Sequence, residues 1–164
     1  MAANALNLER EIVITRILDA PRKLVFEAWT DPRHLAQWWG PAGFTNPVCE
    51  MDVRPGGAWY IVMRGPDGSE YPGGGVYQEI VPPERLVFSN NALDPHGKVI
   101  LEGHTTVTFA DEGRKTKLVL TTRARGLQDY TARFLAGMEQ GWTQSMERLA
   151  QHVTADRSIH DHNS

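Results

Sequence analysis

Apolar and polar residues alternate near the start of the chain, over Glu11–Leu18, and most of the apolar positions there are β-branched. This pattern is typical of a strand with one buried face. Asp19-Ala20-Pro21 ends the alternation, and the apolar residues from Leu24 to Trp29 then recur at helical spacing. The pattern predicts a first strand followed by a short helix that Asp19 or Ala20 caps, with the proline in its first turn.

A second short helix is predicted over Pro32–Trp38, because Thr30-Asp31-Pro32 repeats the start signal and Gly40-Pro41 stops the helix. The helix ends in a pair of adjacent tryptophans, Trp38 and Trp39. Two neighbouring side chains cannot share one face of a helix or a strand. We therefore expect one ring in the core and the other at the mouth of a cavity, or else both in the core.

From Phe44 onward the period changes to two, and Gly, Pro, Asp and Asn interrupt the pattern at short intervals. Connections such as Pro55-Gly56-Gly57 and Asp111-Glu112-Gly113 are hairpin signals, so the segments should form an antiparallel meander. The six further strands predicted are Thr45–Val53, Ala58–Arg64, Glu70–Ile80, Arg85–Asn91, Ile100–Phe109 and Thr116–Arg123.

After Gly126 the pattern returns to helical spacing and predicts one long helix. Its apolar stripe consists of Tyr130, Phe134, Met138, Gly141, Trp142, Ser145, Leu149 and Val153. Its outward positions are polar or charged: Arg133, Glu139, Gln140, Gln144, Glu147 and Arg148. The small residues in and beside the stripe either let a strand pack closely or leave room for a ligand.

Composition predicts a single domain. The chain has 164 residues, 41% of them hydrophobic, and we place the domain at 8–155 between flexible segments 1–7 and 156–164. The net charge of -3, with Lys and Arg scattered, argues against a nucleic-acid partner. No apolar run approaches the roughly 20 residues of a membrane span, so we expect a cytoplasmic protein without membrane insertion. Cys49 is the single cysteine, which excludes an internal disulfide.

Together these elements predict an α+β domain. A seven-stranded antiparallel sheet has one face to bury, and the long C-terminal helix is the later element able to cover it. The two short helices between strands 1 and 2 must close one end. A twisted sheet that curls around one helix leaves a space between them unless large side chains fill it.

Several short motifs follow one another along residues 8–153. They are Asp19-Ala20-Pro21, Val25-Phe26, Trp29-Thr30-Asp31-Pro32, Trp38-Trp39-Gly40-Pro41, Arg54-Pro55-Gly56-Gly57, Gly75-Val76-Tyr77-Gln78-Glu79-Ile80, Pro83-Glu84-Arg85-Leu86-Val87-Phe88, Val107-Thr108-Phe109 and Gly141-Trp142. In this order they resemble the START-like (SRPBCC) superfamily, and within it the bacterial single-domain branch of the AHSA family, the activator of heat shock protein 90 ATPase homologues. The resemblance implies the helix-grip fold, also called birch-pollen-allergen-like, in which a curved sheet wraps around the C-terminal helix.

The resemblance also implies a hydrophobic pocket between the sheet and the long helix. Its expected ligand-binding residues are Trp38, Trp39, Phe44, Trp59, Tyr77, Phe88, His104, Phe134, Met138 and Trp142. A register error of one residue would exchange the strand members of this set for their neighbours, because side chains alternate between the two faces.

Glu102 and His104 are the candidates for catalysis. They lie two residues apart on a predicted strand and share a face, so the carboxylate could orient the imidazole as a general base, with Tyr71 or Tyr77 as a polarising donor. Alternatively, both are solvated on the convex face of the sheet. No spacing in the sequence matches a zinc site, and we expect no metal or cofactor.

Three functions are compatible with these features. The first is non-catalytic binding of a small hydrophobic molecule in the pocket. The second is a START-like cyclase or hydrolase that uses Glu102 and His104 on an apolar substrate. The third, suggested by the family name alone, is activation of a chaperone ATPase, which we rank last because only about ten residues precede the first strand. A homodimer through exposed tryptophans around Trp38 is also open.

Overall fold

The computed structural model describes the backbone of residues 8–163 and the side chains of residues 8–155. The predicted flexible segment 1–7 and the side chains of the predicted tail 156–164 lie outside the described residues. The elements are β1 (Glu9–Leu18), α1 (Arg22–Thr30), α2 (Pro32–Trp38), β2 (Thr45–Met51), β3 (Ala58–Arg64), β4 (Glu70–Val81), β5 (Arg85–Ser89), β6 (Asn91–Leu93), β7 (Val99–Glu112), β8 (Lys115–Gly126) and α3 (Ala132–Asn163).

The described strands form one antiparallel sheet in the order β1-β8-β7-β5-β4-β3-β2, and β6 pairs with both β4 and β7. The sequence predicted seven strands, and the described residues form eight. The predicted strand Arg85–Asn91 is divided at Asn90, whose backbone N–H donates to the carbonyl of Gly103 (2.9 Å) outside the regular ladder. The α+β fold with a large antiparallel sheet, two short helices and a long C-terminal helix is confirmed.

Burial alternates along the long strands, as expected for a sheet that is covered on one face. In β7 the residues Thr105, Val107 and Phe109 are buried, and their partners Thr122, Leu120 and Leu118 in β8 are buried too. We call the face that carries these residues the inner face. The residues between them in sequence are less buried and lie on the outer face.

The helices α1 and α2 connect the two edge strands β1 and β2 of the sheet. The N-cap of α1 is Pro21, with φ -68° and ψ 151°, and not Asp19 or Ala20 as the sequence predicted. The bounds of α2 agree with the prediction. Asp31 caps this helix through a hydrogen bond from the backbone N–H of Arg33 (2.9 Å), and the Arg33 side chain lowers the pKa of Asp31 by hydrogen bonding to its carboxylate.

The long helix α3 packs against β1, α1, α2 and β8. Met146, Leu149 and Val153 in its C-terminal part have no exposed surface, and they join the same core as Val25, Trp29 and the inner face of β8. Within the described residues, no helix is both long and apolar enough to cross a membrane.

Candidate functional site

A cavity of about 430 Å³ lies between the inner face of the sheet and the N-terminal part of α3. Trp59 and Ile61 of β3, Leu101 of β7 and Ala124 of β8 line it from the sheet. The segment 39–44 after α2 closes one side, and the segment 90–92 around β6 closes another. A volume of this size is within the range of small-molecule sites.

Glycines on the two walls have different roles. A Cβ atom on Gly74 of β4 would lie 2.2 Å from the carbonyl oxygen of Trp59, so this glycine allows two strand backbones to approach each other. A Cβ atom on Gly137 of α3 would meet no atom within 4 Å, and one on Gly141 would reach only the Pro41 ring at 3.8 Å. On the helix, therefore, the small residues leave space instead of allowing close packing.

Three tryptophans make the aromatic wall of the cavity. The Trp39 ring packs edge-on against Trp59, with centroids 5.5 Å apart, and against Trp142, with centroids 5.3 Å apart. The Trp59 indole N–H donates to the carbonyl of Ser89 (3.0 Å) and fixes that ring. Phe134 and Tyr71, each 38% exposed, lie where the cavity meets solvent.

The segment after α2 is fixed to α3 by one arginine. The Arg148 guanidinium donates to five backbone carbonyls at 3.0–3.1 Å, which belong to Gln37, Trp39, Gly40, Pro41 and Phe44. Burial lowers the pKa of Arg148. A guanidinium has five N–H donors in a rigid fork, which suits a ring of carbonyls at the C-terminal end of a helix.

Two more side chains of α3 bind this segment. Ser145 accepts a hydrogen bond from the backbone N–H of Gly40 (3.1 Å), and Gln144 accepts one from Ala42 (3.1 Å). Gly40 has φ 98°, so the turn requires a residue that tolerates the left-handed region. These contacts place Trp39 on the cavity wall.

The cavity lining carries no charge. Of its 22 residues, none is Asp, Glu, Lys, Arg or His. The polar side chains are those of Tyr71, Asn90, Asn91 and Ser145, and the others are apolar or glycine. The described side chains include no group of three or more His, Cys, Asp or Glu residues that could hold a metal ion.

The structure brings together six of the predicted ligand-binding residues. The residues that line the cavity are Trp39, Phe44, Trp59, Phe134, Met138 and Trp142. Tyr77 and Phe88 lie deeper in the core, beside a small void of about 10 Å³ that they share with Trp29 and Trp59. Burial, and secondarily the nearby Cys49 thiol, raise the pKa of Tyr77.

Trp38 and Trp39 occupy the two environments expected of neighbouring residues. Trp38 has no exposed surface and its indole N–H donates to the carbonyl of Ala28 (2.9 Å), so it lies in the core and not in the cavity, where the sequence placed it. Trp39 is 9% exposed and lines the cavity. Because both rings are buried, they do not form the exposed patch on which a homodimer was suggested.

Glu102 and His104 are exposed on the outer face, and neither lines the cavity. They pair across the sheet with Arg125 and Arg123 of β8, whereas Gly103 between them is buried on the inner face. The expectation that His104 faces the pocket is corrected by the register of β7, which places even-numbered residues from 102 to 106 outward. The alternative of a solvated pair matches this placement.

The sequence did not reveal the roles of five polar residues of the site. Gln144, Ser145 and Arg148 bind the segment after α2, and Asn90 and Asn91 line the cavity. The sequence pattern predicted that Gln144 and Arg148 face solvent on an amphipathic helix, because a polar side chain that binds a loop has the same spacing as one that faces water. The sequence pattern placed Asn90 and Asn91 at the end of a predicted strand. The only sequence signal for them is the adjacent asparagine pair, which is also typical of a turn.

A family model and solved structures that resemble this chain indicate which family it belongs to. Residues 19–154 match a family model described as activator of Hsp90 ATPase homolog 1-like protein. A crystal structure from Chromobacterium violaceum is 32% identical, with 87% of this chain and 96% of that chain covered and a TM-score of 0.74. A solution structure from Arthrobacter aurescens is 26% identical, covering 88% and 86%, with a TM-score of 0.76. A search of curated proteins returned no match.

A third solved structure carries the family's name. The AHSA1 protein from Silicibacter pomeroyi is 25% identical to this chain, with 90% of this chain and 99% of that chain covered and a TM-score of 0.73. All three structures therefore match this chain over nearly their whole lengths.

Proposed function

Since the chain belongs to the family of activator of Hsp90 ATPase homolog 1-like proteins, we propose that its own activity is to bind a small hydrophobic molecule in the cavity between the sheet and α3. The observation that carries this proposal is the uncharged, mainly apolar lining of a cavity of about 430 Å³, in which six of the 22 residues are aromatic. Burial of an apolar ligand against such a lining is favourable in proportion to the apolar area removed from water.

The lining supports binding better than acid–base catalysis. A general base must lie within hydrogen-bond reach of the proton that it removes. The carboxylate and imidazole suggested by the sequence, Glu102 and His104, lie on the outer face of the sheet. The cavity itself offers amide, hydroxyl and phenol groups, which orient a ligand.

The test uses two uncharged probes, isopropylnaphthalene and acetylnaphthalene, titrated calorimetrically into the purified protein. We expect at least one to bind with a micromolar dissociation constant and to raise the melting temperature as its concentration increases. Gly137→Leu should abolish binding in a folded protein, because the new side chain extends into open space beside the cavity. Ala136→Leu, on the adjacent exposed position, is the matched control and should bind normally.

Two results would contradict the proposal. One is that neither probe binds the unaltered protein. The other is that Gly137→Leu, folded and stable, binds as well as Ala136→Leu. A separate assay with a purified Hsp90 addresses the activity named for the family: stimulation of its ATPase that Gly137→Leu leaves intact would place that function outside the cavity.

A further inference from the structure

We propose that the cavity selects uncharged ligands that carry a hydrogen-bond acceptor, such as a ketone or ester carbonyl, and that the Asn90 side-chain amide donates to this acceptor. The inference deepens the proposed function and rests on it, because it names the class of ligand for the same cavity.

The lining described above carries no charged side chain. A carboxylate or an ammonium that enters an apolar site without a partner loses its hydration and gains no compensating interaction. Two cations of α3 lie near its lining residues in sequence, and neither lines the cavity. The exposed Arg133 stacks its guanidinium over the Phe134 ring, 5.6 Å from the centroid, and the Arg148 guanidinium is already bound to five backbone carbonyls. The cavity therefore disfavours ionised ligands of either sign.

Hydrogen bonds with buried hydroxyl groups orient the Asn90 side-chain amide. Thr105 donates its hydroxyl hydrogen to Oδ1 of Asn90 at 2.7 Å. A hydroxyl has one hydrogen, so the 2.8 Å hydrogen bond between Thr105 and Thr122 must be donated by Thr122. The two threonines are 1% and 0% exposed. This buried chain of hydroxyls fixes Oδ1 toward Thr105 and makes Nδ2 the outer end of the network.

The Nδ2 atom of Asn90 lies over the inner face of the sheet. A Cβ atom on Gly103 would lie 3.0 Å from Nδ2 of Asn90, so the amide packs over this glycine on the inner face of β7. Within residues 8–155 no hydrogen-bond acceptor is bound to Nδ2, although Asn90 lines the cavity. The adjacent Asn91 lines it too. One end of the cavity thus offers a donor, and the tryptophan wall offers apolar contact.

The predicted ligand is accordingly a neutral, mainly apolar molecule with one carbonyl-type acceptor. A hydrocarbon of the same shape leaves the Nδ2 donor without a partner once water is displaced, so it should bind less tightly. A carboxylate of the same shape should bind least, because the cavity has no cation for it.

The test compares three naphthalenes substituted at the same ring position: the acetyl ketone, the isopropyl hydrocarbon and the carboxylate. Titration calorimetry at pH 7 should show the ketone binding about tenfold more tightly than the hydrocarbon, the value of one hydrogen bond to a desolvated donor. The carboxylate should show no binding at concentrations that saturate the protein with ketone.

Asn90→Asp identifies the donor. The substitution keeps an oxygen to accept from Thr105 and removes the Nδ2 donor, so the preference for ketone over hydrocarbon should disappear. Gln78→Glu is the control: it makes the same amide-to-carboxylate change at an exposed position of β4 outside the cavity, and it should keep the preference.

The outcomes are distinguishable. Equal affinity for the ketone and the hydrocarbon would overturn the inference and leave the proposed function standing, as would tight binding of the carboxylate. Failure of both neutral probes would overturn the proposed function and the inference together. If Asn90→Asp binds with the preference intact, Asn90 is not the donor. If that variant does not fold, the three-probe comparison on the unaltered protein still decides whether the cavity selects an acceptor.

Discussion

The two ends of α3 cover the same sheet and yet meet different interiors. The C-terminal part presents Met146, Leu149 and Val153 to a core in which these side chains have no exposed surface. The N-terminal part presents Phe134, Met138 and Trp142, alternating with glycines, to a cavity of about 430 Å³. The difference lies in what stands opposite, because α1 fills the space at one end and, within the part of the chain that the structure describes, no other helix fills it at the cavity.

Aromatic packing shows the same contrast. In the closed end, the rings of Trp29 and Trp38 are 4.7 Å apart and those of Phe26 and Phe109 are 5.4 Å apart. In the open end, Trp39 contacts Trp142 at 5.3 Å, but these rings border open space on one side. A protein interior is normally filled at crystal-like density, so an aromatic wall that borders a cavity is a departure that function explains better than stability does.

The largest expected effect on stability comes from truncating one apolar side chain at each end of α3. Leu149→Ala should lower the free energy of unfolding by about 3 kcal/mol, because it leaves a hole in a fully buried site. Met138→Ala should cost less than about 1 kcal/mol, since that side chain already borders a cavity and is only partly buried. Equilibrium denaturation of both variants measures the difference. If both variants lose the same free energy of unfolding, Met138 is packed as tightly as Leu149 and the cavity is filled by side chains in solution.

A second prediction concerns the attachment of segment 37–44 to α3. Arg148→Lys keeps the charge and loses the fork that reaches five carbonyls, so the free energy of unfolding should fall by about 1–3 kcal/mol. Arg133→Lys, an exposed position on the same helix, should change it by less than about 0.5 kcal/mol. Denaturation curves of the two variants measure this difference. Indistinguishable curves would show that the contacts between Arg148 and the carbonyls add no stability.

The closed end was largely predictable from sequence. At the open end the sequence predicted six apolar and aromatic residues of the cavity wall, but not the polar contacts that hold it. The bounds of α2 follow from punctuation that acts locally, since Asp31-Pro32 starts a helix and Gly40-Pro41 ends it. The apolar spacing of Leu149 and Val153 correctly indicated a buried stripe. Such signals depend only on residues that are close in sequence, so a single sequence is enough to detect them.

The site depends on partners that are distant in sequence. Arg148 has the pattern of a solvated helix residue, and its role appears only when the carbonyls about 110 positions earlier are placed beside it. His104 was placed on the wrong face because β7 carries the polar Thr105 on its buried side and mixes polar residues into both faces. Where both faces of a strand mix polar and apolar residues, alternation does not reveal which side is inward.

Smaller effects should come from two glycines on the cavity wall. Gly137→Ala should raise the free energy of unfolding by about 0.5–1 kcal/mol, because the new Cβ meets no atom and alanine favours the helix. Gly40→Ala should lower it by more than about 1 kcal/mol, because Gly40 has φ 98° and a Cβ there would approach the Met63 sulfur at 3.0 Å. Thermal and chemical denaturation measure both. Destabilisation by Gly137→Ala would mean that α3 is not helical or not open at this point.

The smallest effect concerns Cys49 of β2, which is half-buried against the core and does not line the cavity. Burial, and then the charge of Asp31, raise the pKa of Cys49 to about 11, whereas an ordinary thiol has a pKa of about 8.5. Because the folded pKa is raised, the neutral thiol's contribution to stability is complete below the unfolded pKa and is lost as pH rises between the two values. The alkylation rate of the folded protein should therefore still rise about tenfold per pH unit at pH ~9.5, where the thiolate fraction in denaturant has already levelled off. A plateau in the folded protein near pH ~9 would show that the Cys49 thiol is solvated and that its pKa is not raised.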